Sequence, residues 1–173
     1  MKRLNKIAKK ITAYNEEKEQ FIKECEDSGK FNNYQITQIV EGLEGLTMEQ
    51  VKVYADPKFN WKQMYQICTG FEENLTIEQV KLFAKPEFKS DQMEVIRLGF
   101  YNGLTIEQVK VYAKPELDWD KMDEIRFGFE NGLTMEEIKL YAKPEFSWEK
   151  MEDIREDFKN GMLIEEVKEK YNL

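Results

Sequence analysis

From residue 46 onward, apolar residues fall at helical spacing in two kinds of segment that alternate. The shorter kind reads LTMEQVKVYADPKF, LTIEQVKLFAKPEF, LTIEQVKVYAKPEL and LTMEEIKLYAKPEF, starting at Leu46, Leu75, Leu104 and Leu133. Pro57, Pro86, Pro115 and Pro144 keep the same step of 29 residues. The longer kind carries Trp61, Met64, Ile67 and Phe71 in one copy and Met122, Ile125 and Phe129 in another. Thr47, Thr76, Thr105 and Thr134 stand three residues before Gln50, Gln79, Gln108 and Glu137, which is the spacing of a capping box. Each short helix is expected to stop before its proline, which disfavours helical geometry in the residue ahead of it. Asn60, Ser90, Asp118 and Ser147 are the expected N-caps of the longer helices. Asn74, Asn102–Gly103, Asn131–Gly132 and Asn160–Gly161 suit left-handed C-caps.

One such hairpin cannot bury its apolar face alone, but stacked copies can. The expected fold is all-α, a right-handed solenoid of about four and a half helix–turn–helix repeats with an extra N-terminal helix. Phe31 to Gly45 reads as a divergent copy of the second half of the unit, and Met162 to Leu173 as a truncated copy of the first half. The expected organisation is a basic, capping helix over residues 1–30 and a repeat domain over 31–173. Met162, Leu163, Ile164 and Val167 of the last copy either close the core or pair with a second copy of the chain, so a homodimer stays open.

Composition narrows the function. The 173 residues are 41% hydrophobic and 35% charged, and no apolar run is long enough to span a bilayer. No signal peptide is read at the N-terminus. Cys25 and Cys68 show no metal or redox spacing, which fits a reduced, cytoplasmic chain. There is no histidine, and so no His-dependent base or zinc site. No Gly-rich phosphate loop, nucleophile elbow or HExxH motif is present, so an enzyme is not expected and no catalytic, cofactor or metal residue is assigned. Residues 1–30 are net positive by two, whereas residues 31–173 carry a net charge of −10. An acidic body repels phosphate backbones and favours a basic partner.

The string YAKPEFSWEKMEDIREDFKNG and its siblings, over about residues 46–170, resemble tandem helical repeats in uncharacterised proteins of Firmicutes, many on phage and other mobile elements. The resemblance implies a repeat module, a mobile-element origin and a bacterial host cytosol. It implies no catalytic residue or ligand.

The positions that tempt a functional reading are few. Arg97, Arg126 and Arg155 form a ladder suited to phosphates or acidic peptides. Each follows an acid by three residues: Glu94, Asp123 and Glu152. Where the acid becomes Tyr65 the arginine becomes Cys68, and in the first copy the two are Thr37 and Val40. Positions that change together favour ion pairs within each helix, with partner contact as the alternative. The less charged face of Thr37, Val40, Tyr65 and Cys68 is expected to receive residues 1–28 as a cap, or else a partner. Trp61, Trp119 and Trp148 are expected to pack between repeats, with an aromatic anchor for a partner as the alternative. Lys89–Ser90 interrupt the Trp pattern, and Tyr101 stands where other copies have Glu72, Glu130 or Lys159. Lys2, Arg3, Lys6, Lys9 and Lys10 form a basic cluster, read as a solvated helix start or a contact for nucleic acid or an anionic membrane.

The expected function is therefore a non-enzymatic protein-interaction module for a basic protein surface, in one form an anti-CRISPR-like inhibitor of a host defence complex. The alternatives are an acidic mimic that blocks a DNA- or RNA-binding groove, and nucleic-acid binding through the basic N-terminal helix.

Overall fold

The computed structural model describes residues 2–173, with side chains from Thr12 onward. The side chains of Lys2, Arg3, Lys6, Lys9 and Lys10 lie outside the described residues. Among the described residues the fold is all-α, with eleven helices and no strand. They are α1 (Lys2–Asp27), α2 (Asn33–Gly45), α3 (Met48–Tyr54), α4 (Trp61–Glu72), α5 (Ile77–Phe83) and α6 (Ser90–Tyr101). The series continues with α7 (Ile106–Tyr112), α8 (Trp119–Glu130), α9 (Met135–Tyr141), α10 (Trp148–Lys159) and α11 (Ile164–Tyr171). No described helix is long and apolar enough to cross a membrane.

The chain divides into two compact units, one ending at Glu72 and one over Glu73–Leu173. In the first, α1 packs on α2, and α2, α3 and α4 pack on one another. In the second, the long helices α6, α8 and α10 lie side by side. There α7 touches both α6 and α8, α9 touches both α8 and α10, and α11 closes on α10. Cys25 of α1 is buried in the first unit.

Capping sets the boundaries as the threonines require. Thr47 Oγ1 accepts from the Gln50 N–H at 3.3 Å, and Gln50 Oε1 accepts from the Thr47 N–H at 2.9 Å. The same box opens α5, α7 and α9. At the end of α6 the Leu104 N–H donates to Gly99 O at 2.9 Å, a closure that puts Gly103 at φ +88°. Asn74 fills the matching position after α4 with φ +65°. One cap differs from expectation: α6 begins at Ser90 itself, with Lys89 as N-cap. Asp91 supplies the acceptor that a capping serine would have offered, taking the Gln92 N–H at 2.8 Å.

Two structural devices join the hairpins. The first is a buried glutamine. Gln92 accepts the Lys89 N–H at 2.7 Å and donates its Nε2 to Leu117 O at 2.6 Å, in the turn before α8. Gln35 does the same for Asn32 and Phe59 in the first unit. The second is a tyrosine seated on a glycine of the preceding long helix: Tyr54 on Gly42, Tyr112 on Gly99 and Tyr141 on Gly128. In the last hairpin the glycine becomes Asp157 and the tyrosine becomes Lys170, and the two form an ion pair at 2.6 Å. Tyr171 adds a hydrogen bond to the same carboxylate at 2.7 Å. Val167 of this hairpin is fully buried and closes the core, while Leu163 stays 67% exposed.

Candidate functional site

The arginine ladder is buried, and a buried guanidinium is tolerated only when carboxylates meet it. Arg126 donates from Nε and Nη2 to Asp123 Oδ1 at 2.8 and 2.7 Å, and from Nη1 to Glu130 Oε1 at 2.7 Å. This is the expected pairing within one helix. The other two rungs differ. Arg97 pairs with Glu73 rather than Glu94. Arg155 pairs with Glu124 on the preceding long helix at 2.7 Å and with Glu156 at 2.5 Å, rather than with Glu152. The Arg155 guanidinium turns into the joint between α8 and α10, and Glu94 stays in water. Arg97, Arg126 and Arg155 are thus buried in ion pairs, the reading that the co-varying positions favoured over partner contact. Burial lowers the affinity of Arg126 and Arg155 for their protons, but the hydrogen-bonded carboxylates outweigh it and hold both pKa values up. Burial dominates at Glu124, whose carboxyl is raised despite Arg155.

Cys68 lies in the first unit. It is buried, with the Tyr54 hydroxyl 3.7 Å from its Sγ. Burial is the main cause that pushes its thiol up to about 11, and burial likewise raises Cys25. Both thiols are expected to react with a disulfide reagent orders of magnitude more slowly in native protein than in urea; a fast native reaction at either would contradict their burial. Tyr65 and Tyr101, by contrast, are 51% and 61% exposed. Thr37 is exposed like Tyr65, and the described side chains of α1 meet α2 and α3 through Lys18 on Leu43 O and Phe21 beneath Lys52. Lys89 is exposed at the start of α6.

The tryptophans are not core. Trp61, Trp119 and Trp148 are 40%, 50% and 40% exposed. The reason lies in helix geometry. Trp119, Asp123 and Arg126, at i, i+4 and i+7, form one row, beside the row of Met122, Ile125 and Phe129 that fills the core. In the second unit a cleft of about 490 Å³ opens between α6 and α8, lined by Asp91, Glu94, Val95, Leu98, Trp119 and Asp123 with Arg126. A second cleft of about 310 Å³, between α8 and α10, is lined by Trp119, Asp120, Asp123, Glu124 and Trp148. Trp119 and Asp123 line both, with the Trp119 indole as the shared apolar wall. Arginines neutralise Asp123 and Glu124, whereas Asp91, Glu94 and Asp120 have no ion-pair partner among the described residues. This combination was not singled out in the sequence, because Asp91, Glu94 and Asp120 look there like ordinary solvated helix positions.

The exposure of Trp119 gives it a small structural role. Trp119→Ala is expected to cost about 1 kcal/mol in urea unfolding, against about 3 kcal/mol for the fully buried Met122→Ala. Equal losses would place Trp119 in the core.

No group of three or more His, Cys, Asp or Glu side chains among the described residues is placed to hold a metal ion. In comparison with known proteins, the chain matches no family model, no curated protein and no solved structure.

Proposed function

We propose that the chain is a non-enzymatic interaction module that binds a protein with a basic surface. In this reading it forms a right-handed solenoid of about four and a half repeats, extended enough to present a long face to a partner. The half-exposed Trp119 between two clefts edged by the uncompensated carboxylates of Asp91, Glu94 and Asp120 carries the proposal. An exposed indole set in a concave surface is a common centre of binding energy. The net charge of −10 over residues 31–173 supports a basic partner, and the buried, paired arginines leave the ladder no charge to offer an anion. A mobile-element inhibitor of a host defence complex is one concrete form of this function, and rests on the wording of the repeats alone.

The immobilised chain is expected to retain a basic protein from the cells that produce it. The purified pair should then bind with an affinity that falls as salt is added. Retention of nucleic acid alone, or of no protein, would contradict the proposal. Competition between the partner and an oligonucleotide would favour the mimic form.

A further inference from the structure

We infer that the two clefts flanking Trp119 each take one cationic side chain, Lys or Arg, from a single basic segment of the partner; this rests on the protein-binding function proposed above. Each cleft combines two features. Its walls are apolar, formed by Val95, Leu98 and Trp119 on one side and by Trp119 and Trp148 on the other. Its edge carries carboxylate, from Asp91 and Glu94 on one side and Asp120 on the other. A long cationic side chain matches both, because its methylene stem lies on apolar surface while its head reaches charge. The indole face adds attraction for the cation.

The chain uses this chemistry on itself elsewhere. Lys62 Nζ stands 5.7 Å from the Trp61 ring, and the Tyr34 ring lies tilted by 32° beside the same indole at 5.9 Å. Lys150 and Lys143 stand 3.8 and 5.1 Å from the Phe146 ring. Trp119 and Trp148 have no ring or cation partner among the described residues. Arg126 at the base of the first cleft does not repel an incoming cation as a bare charge would, because Asp123 and Glu130 hold it. An anionic occupant meets three uncompensated carboxylates. A purely apolar one leaves them without a counter-charge. A basic segment satisfies every group in both clefts.

The test uses the full chain, a short peptide of alternating Arg and Ala, and a control peptide of alternating Gln and Ala. Binding is read by calorimetry and by tryptophan fluorescence at physiological salt. The Arg peptide should bind and the Gln peptide should not. Trp119→Ala should weaken binding about tenfold or more, as should the combined Asp91→Asn, Glu94→Gln and Asp120→Asn variant. Removing the same charge from the short helices, by Glu78→Gln, Glu107→Gln and Glu136→Gln, should change affinity less than about threefold. Circular dichroism shows that each variant is folded. If the Arg peptide binds but both triple variants weaken it equally and Trp119→Ala does nothing, the cleft assignment is wrong and general acidic attraction remains. Failure of the Arg peptide while a basic protein is still retained also overturns the clefts alone. If no basic peptide or protein binds, the clefts and the broader function fall together.

Discussion

Replacing Arg155 with Met is expected to lower stability by about 3 kcal/mol at neutral pH. The loss comes less from the missing bond than from what remains. Glu124 is buried in α8 and takes the Arg155 Nε–H at 2.7 Å. Burial already holds its carboxyl above the usual range, with Arg155 the main counterweight. Without the guanidinium it rises further. A carboxyl raised in the folded state contributes stability that is present below its unfolded value, about 4.3, and lost as pH rises through the folded value. The penalty in Arg155→Met should therefore be larger at pH 7 than at pH 5. Adding Glu124→Gln, which removes the stranded charge, should restore much of the loss at pH 7. Urea unfolding at the two pH values checks this, and a loss independent of pH and unrelieved by Glu124→Gln would show that the pair is not what holds the joint.

Gly99→Ala, a change that favours an isolated helix, should here cost about 2–3 kcal/mol. The new Cβ would meet the Tyr112 hydroxyl and lie 3.2 Å from Tyr112 Cζ and 3.3 Å from Leu104 Cδ1. Tyr112 is fully buried and cannot swing aside. Its hydroxyl has no hydrogen-bond partner among the described residues, so Tyr112→Phe alone should be neutral or stabilising by up to about 1 kcal/mol. The double variant Gly99→Ala with Tyr112→Phe should recover most of the loss, because the clashing oxygen is gone. Phe83 occupies the corresponding position in the sequence of the preceding repeat. Tyr141→Phe should behave differently and cost about 1 kcal/mol, since the Tyr141 hydroxyl donates to Glu124 O at 3.2 Å. Thermal melting of the set distinguishes these outcomes. Full tolerance of Gly99→Ala would mean that the ring is not seated on the helix.

The helices and their ends were legible because local chemistry sets them. Threonine with a glutamine or glutamate three residues on, proline after the short helix, and glycine or Asn74 after the long one each act within a few residues of themselves. What joins one hairpin to the next was less legible, because its partners lie some 25–30 residues apart. Arg97 and Arg155 each have an acid three positions back, yet their guanidinium groups turn to Glu73 and Glu124. Nothing in the spacing distinguishes those choices from Arg126, which does keep Asp123. Gln92 reads as an ordinary cap residue until its amide is seen on Leu117 O. The tryptophans mislead for another reason. Trp119 lies three residues before Met122, a spacing compatible with a shared apolar face, but it is the i+4 and i+7 row with Asp123 and Arg126 that carries it out of the core. The clefts follow from that displacement, so the candidate site was hidden by the same default that places aromatic residues inside.

The most direct test of the binding face is to titrate the isotopically labelled full chain with the alternating Arg–Ala peptide and follow its backbone amide and indole resonances. Shifts are expected to concentrate on residues 91–98, on 119–127 and at Trp148, with the short helices α7 and α9 nearly still. Shifts spread along α7 and α9, or no movement at the Trp119 indole, would contradict the cleft assignment.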